Sequence, residues 1–185
     1  MYNVGDGFKS VPIVSELQKM ANHLHIVEQR LEHIPHEKEG LRLWLRIVSC
    51  TQMVEQEIRT MLREKFDTTL PRFELLSALD RVPDGLTMGE LSRWLMVSKG
   101  NVTGVAERLS EDGFIRREPT PTDRRSFVVT LTGKGREAYK KMELEYEELL
   151  DKLFNDLTLD DSDMFAGMLA KIKESVEELR GQDPE

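Results

Sequence analysis

Apolar residues recur at steps of three and four through most of this chain, a spacing that predicts amphipathic helices. The first such segment covers residues 11–34, with Pro12 near its start and Pro35 as a stop. A second, longer helix is predicted over residues 39–66. Together these two helices carry more apolar surface than one small lobe buries, so we expect a partner to cover part of it.

Five further helices are predicted beyond residue 67, and three of them lie outside residues 87–113. A short one has Pro71 in its first turn. Near the C-terminal end, Thr132 is placed to cap a long helix that reaches about Leu153. Asp160 is expected to cap a last helix, whose apolar positions are Phe165, Met168, Leu169, Ile172, Val176 and Leu179.

Residues 87–113 follow the pattern of two short helices joined by a tight turn. Thr87 and Glu90 have capping-box spacing and open a helix that is expected to turn Leu91, Trp94 and Leu95 inward. Ser98 then caps a helix that runs to about Glu111, where Asp112-Gly113 ends it. This arrangement predicts a helix-turn-helix.

The apolar period changes to strict alternation after residue 113. Phe114–Glu118 and Phe127–Leu131 are predicted strands. The segment between them is rich in proline and too long for a tight hairpin, so we expect it to project as a loop. The predicted fold is therefore mainly α, with a small β-hairpin wing beside the helix-turn-helix.

The charge of the chain is unevenly distributed. The whole sequence carries 26 Lys and Arg against 34 Asp and Glu, a net charge of −8, which taken alone argues against a nucleic-acid partner. Residues 85–136 carry 9 basic and 6 acidic residues (+3), whereas residues 137–185 carry 6 and 15 (−9). The predicted helix-turn-helix and wing form the positive part.

Two features bear on the compartment. Residues 1–10 lack the basic and apolar run of a secretory signal, and no segment reaches the ~20 apolar residues of a membrane span. Cys50 is the single cysteine and forms no internal disulfide. We therefore expect a cytoplasmic protein without a membrane partner.

The helix over residues 98–111 has a surface suited to DNA. Val102, Val105, Ala106 and Leu109 form its buried face, and the outward face carries Gly100, Thr103, Gly104 and Glu107. Exposed glycines cost a helix ~1 kcal/mol each, and close approach to another body gives a reason for them. Such a helix fits the ~12 Å major groove of duplex DNA. The candidate DNA-binding residues here are Thr87, Ser98, Lys99, Gly100, Asn101, Thr103, Gly104 and Arg108.

The predicted loop supplies a second candidate contact. Arg124 and Arg125 lie at its tip, where arginine can enter a minor groove or hold phosphate. Asp123 is expected to orient one of them through a bidentate pair.

These residues resemble the multiple antibiotic resistance regulator (MarR) family. Asp123-Arg124-Arg125 with Val129, Leu131-Thr132 and Gly135 is similar to its wing signature, and the resemblance covers about residues 39–173. It implies a homodimeric winged helix-turn-helix repressor with a small-molecule pocket near the dimer interface. In that scheme residues 68–136 form the DNA-binding lobe, residues 39–67 and 137–185 the dimerisation helices, and residues 1–38 an extension. By carry-over, Ser98, Lys99, Asn101 and Thr103 contact DNA, with Arg125 as the wing arginine.

Apolar and aromatic residues beside arginines suggest an effector site, although such stripes are first of all core. An aromatic carboxylate or its coenzyme A thioester is the hypothesis that this composition and the resemblance favour. The candidate residues are Trp44, Arg46, Val48, Met53, Phe66, Arg72, Phe73, Leu76 and Met96.

Other chemistries have weaker support. Cys50 is interpreted as a packed thiol, with a cysteine-based redox sensor as the alternative. His23 and His25 lie ~200° apart on a helix and cannot share a metal, so neither a metal nor a cofactor is predicted. Walker A, dinucleotide and nucleophile-elbow motifs are all missing, so we predict that the protein is not an enzyme. A winged-helix dimer that binds protein without specific DNA recognition stays open.

Overall fold

The structure, a computed structural model, describes residue 35 and residues 37–119 and 127–181. The chain divides into two compact units, residues 1–60 and 61–185. The helices are α1 Glu39–Phe66, α2 Leu70–Arg81, α3 Met88–Trp94, α4 Lys99–Glu111, α5 Gly133–Leu153 and α6 Leu159–Gly181. The strands are β1 Leu86–Thr87, β2 Ile115–Pro119 and β3 Phe127–Leu131. The predicted mainly helical fold with a β-hairpin is confirmed, and the predicted helix over residues 11–34 lies outside the described residues.

Side-chain caps fix where the helices begin. The Thr132 hydroxyl accepts from the Gly135 amide at 3.0 Å and opens α5, as predicted. The prediction that Asp160 caps α6 is wrong. Thr158 accepts from the Asp161 amide at 3.2 Å, and the Asp161 carboxylate accepts from the Thr158 amide at 2.9 Å. This reciprocal pair is a capping box, which satisfies two amides where Asp160 alone would satisfy one.

The three strands form an antiparallel sheet in the order β1-β3-β2. Ile115 of β2 lies opposite Leu131 of β3, and Pro119 lies opposite Phe127. The predicted strand Phe127–Leu131 is confirmed, whereas the predicted strand Phe114–Glu118 is observed one residue further along, at Ile115–Pro119. The sequence pattern did not predict β1, which is two residues long and pairs Leu86 with Val129. Gly85 precedes it at φ +86°, and an added Cβ would lie 2.5 Å from the Val129 carbonyl oxygen. This close approach requires glycine.

The core of the second unit lies between the helices and this sheet. Its largest fully buried side chains are Leu62, Leu75, Leu76, Leu79, Leu91, Val102, Leu109 and Val129. The predicted inward position of Trp94 is wrong, since the side chain is 48% exposed. Trp94 is the last residue of α3 and the C-cap Leu95 follows it, so no further turn of this helix covers its side chain.

The part of α1 before residue 61 exposes much of its predicted apolar stripe. Trp44 is 60% exposed, and Leu41 and Leu43 are exposed beside it. Cys50 is also exposed, so its interpretation as a packed thiol is wrong. Ser49 is buried instead, because it lies one position away on the helix.

Helix α6 has the opposite character to the core. No residue across its described span is buried. Its apolar stripe is solvent-exposed at Met164, Phe165, Met168, Leu169, Ile172, Val176 and Leu179. The predicted apolar face is present, and no described residue of the chain covers it.

Candidate nucleic-acid interface

A tight turn joins α3 to α4. Its main chain is fixed by the Val97 amide, which donates to the Ser92 carbonyl at 3.2 Å, and by the Ser92 hydroxyl, which donates to the Val97 carbonyl at 2.7 Å. Met96 takes φ +51° in this turn, a left-handed conformation that is uncommon outside glycine. The turn therefore gives α4 a defined direction relative to α3.

The start of α3 is fixed by the predicted capping box. The Glu90 carboxylate accepts from the Thr87 amide at 2.8 Å, and the Thr87 hydroxyl accepts from the Glu90 amide at 3.3 Å. The hydrogen bond from the Thr87 amide, followed by that from its hydroxyl, holds the pKa of Glu90 below its usual value. The carboxylate therefore stays ionised at neutral pH at the positive end of α3.

Helix α4 buries one face and exposes the other. Val102, Ala106 and Leu109 are buried, and Val105 is half-buried. Gly100, Asn101 and Gly104 are exposed, and a Cβ added at either glycine would meet nothing within 4 Å. The predicted outward face is thus open, with small residues along it that would let another molecule approach the backbone closely.

The remaining predicted residues of this surface have distinct surroundings. Ser98 caps α4, and its hydroxyl accepts from the Asn101 amide at 3.5 Å. Thr103 is half-buried and Arg108 is exposed on the outer side. The Thr87 hydroxyl is already engaged in the capping box, and the Lys99 side chain lies outside the described set.

The β2–β3 hairpin lies beside α4 in the chain, but its tip lies outside the described residues. Asp123, Arg124 and Arg125 are in that gap, so their positions as wing contacts stay predictions. The strands contribute two arginines that the sequence reasoning missed, Arg116 and Arg117. Arg116 is exposed and pairs with Glu118 at 3.3 Å. Two adjacent basic residues leading into a basic loop were the available signal.

Arg117 differs from Arg116 because it points to the inner face of the sheet. It shares a register row with Val129 and, through β3, with the buried Leu86. Its Nε and Nη2 atoms are buried and have no hydrogen-bond partner among the described residues. The wing base thus holds a positive charge next to the core.

The C-terminal end of α4 is clamped by two neighbouring helices. Arg72 of α2 forms an ion pair with Asp112, the C-cap of α4. Lys134 of α5 donates to the Asp112 carbonyl at 2.6 Å and lies 4.6 Å from the Phe114 ring centre. A cation here also suits the negative end of the helix. The orientation of α4 is therefore set at both ends.

Gly135 makes the clamp possible. A Cβ at this position would lie 1.9 Å from the Phe114 carbonyl oxygen, closer than any side chain permits. The same carbonyl accepts from the Thr132 amide at 3.0 Å. Close contact between the first turn of α5 and the start of β2 therefore explains this glycine.

The predicted effector residues of the second unit fall into two cavities on opposite sides of α2. Phe66, Arg72 and Leu76 line one of about 460 Å³, together with Phe114 and Lys134. Phe73 and Met96 line another of about 350 Å³. The structure thus separates residues that the sequence treated as one set.

The other four effector candidates lie on α1 before residue 61. Trp44 and Arg46 are exposed there, whereas Val48 and Met53 are half-buried. A role for these residues in ligand binding stays a prediction.

The described part of the chain contains no group of three His, Cys, Asp or Glu side chains that could hold a metal ion. His23, His25, His33 and His36 all lie outside that part. Among the described helices, none has the length and apolarity needed to cross a bilayer.

Comparison with known proteins places this arrangement among transcription factors. The model of the MarR family matches residues 66–126, which include α2 to α4, β1, β2 and the segment between β2 and β3. The transcriptional activatory protein BadR of Rhodopseudomonas palustris is 36% identical over 125 residues. That match covers 63% of this chain and 71% of BadR.

Solved structures of similar fold have related sequences. A MarR family transcriptional regulator from Silicibacter pomeroyi matches with a TM-score of 0.66 at 29% identity, covering 77% of this chain and 99% of its own. A mutant MarR from E. coli complexed with operator DNA matches with a TM-score of 0.60 at 27% identity. This second match covers 69% of this chain and 93% of that one.

Proposed function

The chain belongs to the MarR family of transcriptional regulators, and from that premise we propose that it binds a pseudo-palindromic operator as a homodimer. The observation that carries this proposal is the exposed, small-residue face of α4, which is fixed at both ends by a turn and a clamp. Two such helices related by a two-fold axis would enter successive major grooves, about 34 Å apart. Like its family, it would act in the cytoplasm, where the DNA is, and without enzymatic activity.

The contacts are proposed from the chemistry of each side chain. Asn101 suits the edge of adenine, and the hydroxyl and methyl groups of Thr103 suit a polar edge or a thymine methyl. Ser98 and Lys99 at the start of α4 would hold phosphate. The proposed minor-groove contact is Arg125, with Asp123 orienting it.

The decisive experiment measures binding to DNA from upstream of its own gene at several salt concentrations. Log affinity should fall linearly with log salt, because phosphate contacts release counterions. Arg125→Ala should weaken binding by about tenfold or more, as expected for loss of one specific arginine. Arg180→Ala, which removes an exposed arginine at the end of α6, is the matched control and should leave binding unchanged.

Two results would contradict this proposal. A flat salt dependence would favour the alternative of a winged-helix dimer that binds protein partners. Equal binding by the Arg125→Ala and Arg180→Ala proteins would remove the wing assignment.

The homodimer is proposed from the uncovered apolar faces of α5 and α6. Besides the stripe of α6, Leu144 and Leu153 of α5 and its C-cap residue Phe154 are exposed. A stripe of this length on a soluble protein is typical of an interface, and a two-fold axis lets the same face cover itself. Residues 39–67 are proposed to contribute as well.

The direction of regulation has two candidates. We propose repression, because operator binding that overlaps a promoter blocks transcription. Activation is the second candidate, since the similar protein from Rhodopseudomonas palustris is called activatory. Deleting the gene separates them: transcript from the bound promoter should rise under repression and fall under activation.

The proposed effector is an aromatic carboxylate, or a coenzyme A thioester of one, in the cavity of about 460 Å³. Phe66 and Phe114 line this cavity, and Arg72 has a buried Nε without a hydrogen-bond partner among the described residues. A free carboxylate could accept from that donor. Because Arg72 also holds Asp112, a ligand on Arg72 would disturb the clamp on α4 and favour release of DNA.

Calorimetric titration with benzoate and with benzoyl-coenzyme A tests the effector. Benzoate should bind the wild type, and Arg72→Met should lose that heat, whereas Arg81→Met on the same helix should keep it. No heat from either compound would contradict the ligand class. The redox alternative is tested by peroxide, which should leave DNA binding of the wild type and of Cys50→Ser equally intact.

A further inference from the structure

The end of helix α4 is fixed in one direction by its own main chain. Gly113 takes φ +74° just after the helix, a left-handed conformation that favours glycine. The Gly113 amide donates to the Ser110 carbonyl at 3.0 Å, and the Phe114 amide donates to the Leu109 carbonyl at 2.9 Å. These two hydrogen bonds form a Schellman motif. The motif does not use the carbonyls of Asp112, Gly113 and Phe114, which accept from another element.

These three consecutive carbonyls all accept from the start of α5. The Thr132 hydroxyl donates to the Gly113 carbonyl at 2.7 Å, and the Thr132 amide donates to the Phe114 carbonyl at 3.0 Å. The Lys134 ammonium donates to the Asp112 carbonyl at 2.6 Å. Thr132 directly follows β3, so its hydrogen bonds continue the sheet. Lys134 lies within the helix and therefore joins the body of α5 to the end of α4.

The Lys134 side chain is exposed, but an aromatic ring helps to hold its charged end. The ammonium lies 4.6 Å from the centre of the Phe114 ring, within the range of a cation–π contact. The guanidinium carbon of Arg72 lies 5.9 Å from the same ring, and Arg72 also binds the Asp112 carboxylate. Side chains of α2 and α5 therefore meet around one ring at the end of α4.

Helix α5 is also attached to the far end of α2. Asp80 lies one residue before the end of α2, and its side chain is only 13% exposed. One of its carboxylate oxygens pairs with Arg136 at 2.8 Å and the other with Lys140 at 3.1 Å. The first two turns of α5 thus bind α2 through Asp80 and α4 through Lys134. Two separate attachments restrict rotation of the winged lobe about α5.

We propose that Lys134 is a positioning residue for operator binding, which makes the direction of α4 follow that of α5. The inference rests on the proposed homodimer, in which α5 belongs to the interface. The separation of the two α4 helices would then be set by the α5 helices, and with it the half-site spacing that the protein accepts. Each added base pair moves one half-site by about 3.4 Å and turns it by about 34°, which a stiff connection cannot follow.

The experiment measures how the full chain responds to altered half-site spacing. The probe is a DNA fragment from upstream of its own gene that binds the wild type, used unaltered and with one or two base pairs inserted at its centre. The wild type should bind the inserted fragments more weakly. Lys134→Met should bind the unaltered fragment about three- to tenfold more weakly, as expected for loss of one hydrogen bond. Its further loss on insertion should be smaller than that of the wild type, because its α4 helices can adjust.

Lys141→Met is the matched control, because it removes the same charge from α5 at a residue that pairs with Glu137 of the same helix, at 2.9 Å. It should keep the wild-type loss on insertion, and Lys134→Arg, which keeps a cation, should restore it.

Two results would overturn the inference and leave the proposed function intact. One is an unchanged loss on insertion in Lys134→Met, whatever its affinity, and the other is the same change in the Lys134 and Lys141 variants, which would indicate general attraction to DNA. Circular dichroism and light scattering should show that each variant is folded and dimeric. A wild type that binds no such DNA would instead overturn the proposed function, and this inference with it.

Discussion

The winged helix-turn-helix lobe, residues 68–136, and helix α6 carry similar apolar stripes, but these stripes have different surroundings. In the lobe, Leu91, Val102 and Leu109 are fully buried. In α6 the stripe that includes Phe165 and Leu169 is exposed along the whole helix. The lobe therefore has its own core, whereas α6 buries none of its apolar residues within the described part of this chain. The spacing of apolar residues along a helix identifies its hydrophobic face, but it does not identify what covers that face.

The largest expected effect is on assembly. Leu169→Glu combined with Ile172→Glu places charges in the proposed interface, where they lack partners in both copies. We expect the dimer to dissociate, so light scattering should give a mass near the 21.4 kDa of one chain. The lobe should keep its circular dichroism.

A control on the same helix isolates the apolar stripe from charge. Lys171→Gln with Lys173→Gln changes the net charge by the same two units on other positions of α6, and it should remain dimeric. A dimeric Leu169, Ile172 double variant would show that α6 is not the interface.

The next prediction compares the truncation of a leucine to alanine in the lobe with the same truncation in α6. Leu109→Ala removes a fully buried side chain and should destabilise the lobe by about 2–5 kcal/mol in denaturant titration. That loss should be the same at every protein concentration if it is intrinsic to the lobe. Leu169→Ala should instead show a loss that depends on protein concentration, because it acts through association. Identical concentration dependence would contradict the distinction between the two regions.

A smaller effect concerns the open face of α4. Gly104→Ala should stabilise the helix by about 1 kcal/mol, since the added methyl meets nothing within 4 Å. It should weaken operator binding by about tenfold, because the methyl fills space that the groove wall needs. Gly40→Ala on α1 also adds a methyl in open space and should leave binding unchanged. Equal operator affinity in both variants would contradict a groove-facing role for Gly104.

The smallest effect is the pH dependence of the α3 cap. The Thr87 amide lowers the pKa of Glu90 in the folded state, so its stabilisation is present above the ordinary pKa of 4.5 and is lost as pH falls through the lowered value. Glu90→Gln should cost up to about 1 kcal/mol near pH 6, and this cost should shrink as the pH falls through the lowered pKa of Glu90. Denaturant titrations over a series of pH values from 6 downwards measure this. Glu107→Gln, an exposed change on α4, should show no such difference, and a cost for Glu90→Gln that persists at acid pH would refute the role of its charge.

Local features were predicted well because they depend on neighbouring residues. The bounds of α1 and the caps at Ser98 and Thr132 follow from side chains within one turn of the helix end. β1 was missed because two residues show no period, and Leu86 is in a strand only because Val129 lies opposite it. Trp94 was misjudged because its exposure depends on where the turn after α3 sends the chain.

In the candidate site too, some features were predictable from the sequence and others were not. The outward face of α4 was predicted from its helical wheel, since helix geometry fixes the angle between Gly100 and Val102 around the helix axis. The clamp of Arg72 and Lys134 on Asp112 was not predicted, because these residues are distant in sequence and meet only after the helices pack. The separation of Phe66 and Arg72 from Phe73 likewise depends on which side of α2 each residue occupies.

By itself, the sequence determined the helices, their apolar faces, the hairpin, the separation of charge and the family, since each depends on residue type and spacing along the chain. Tertiary structure decided which apolar faces are covered, how α4 is held at its far end and how two cavities with different linings form beside α2. The reason is physical: burial and charge pairing depend on distances in space, and packing brings together residues that the chain keeps apart.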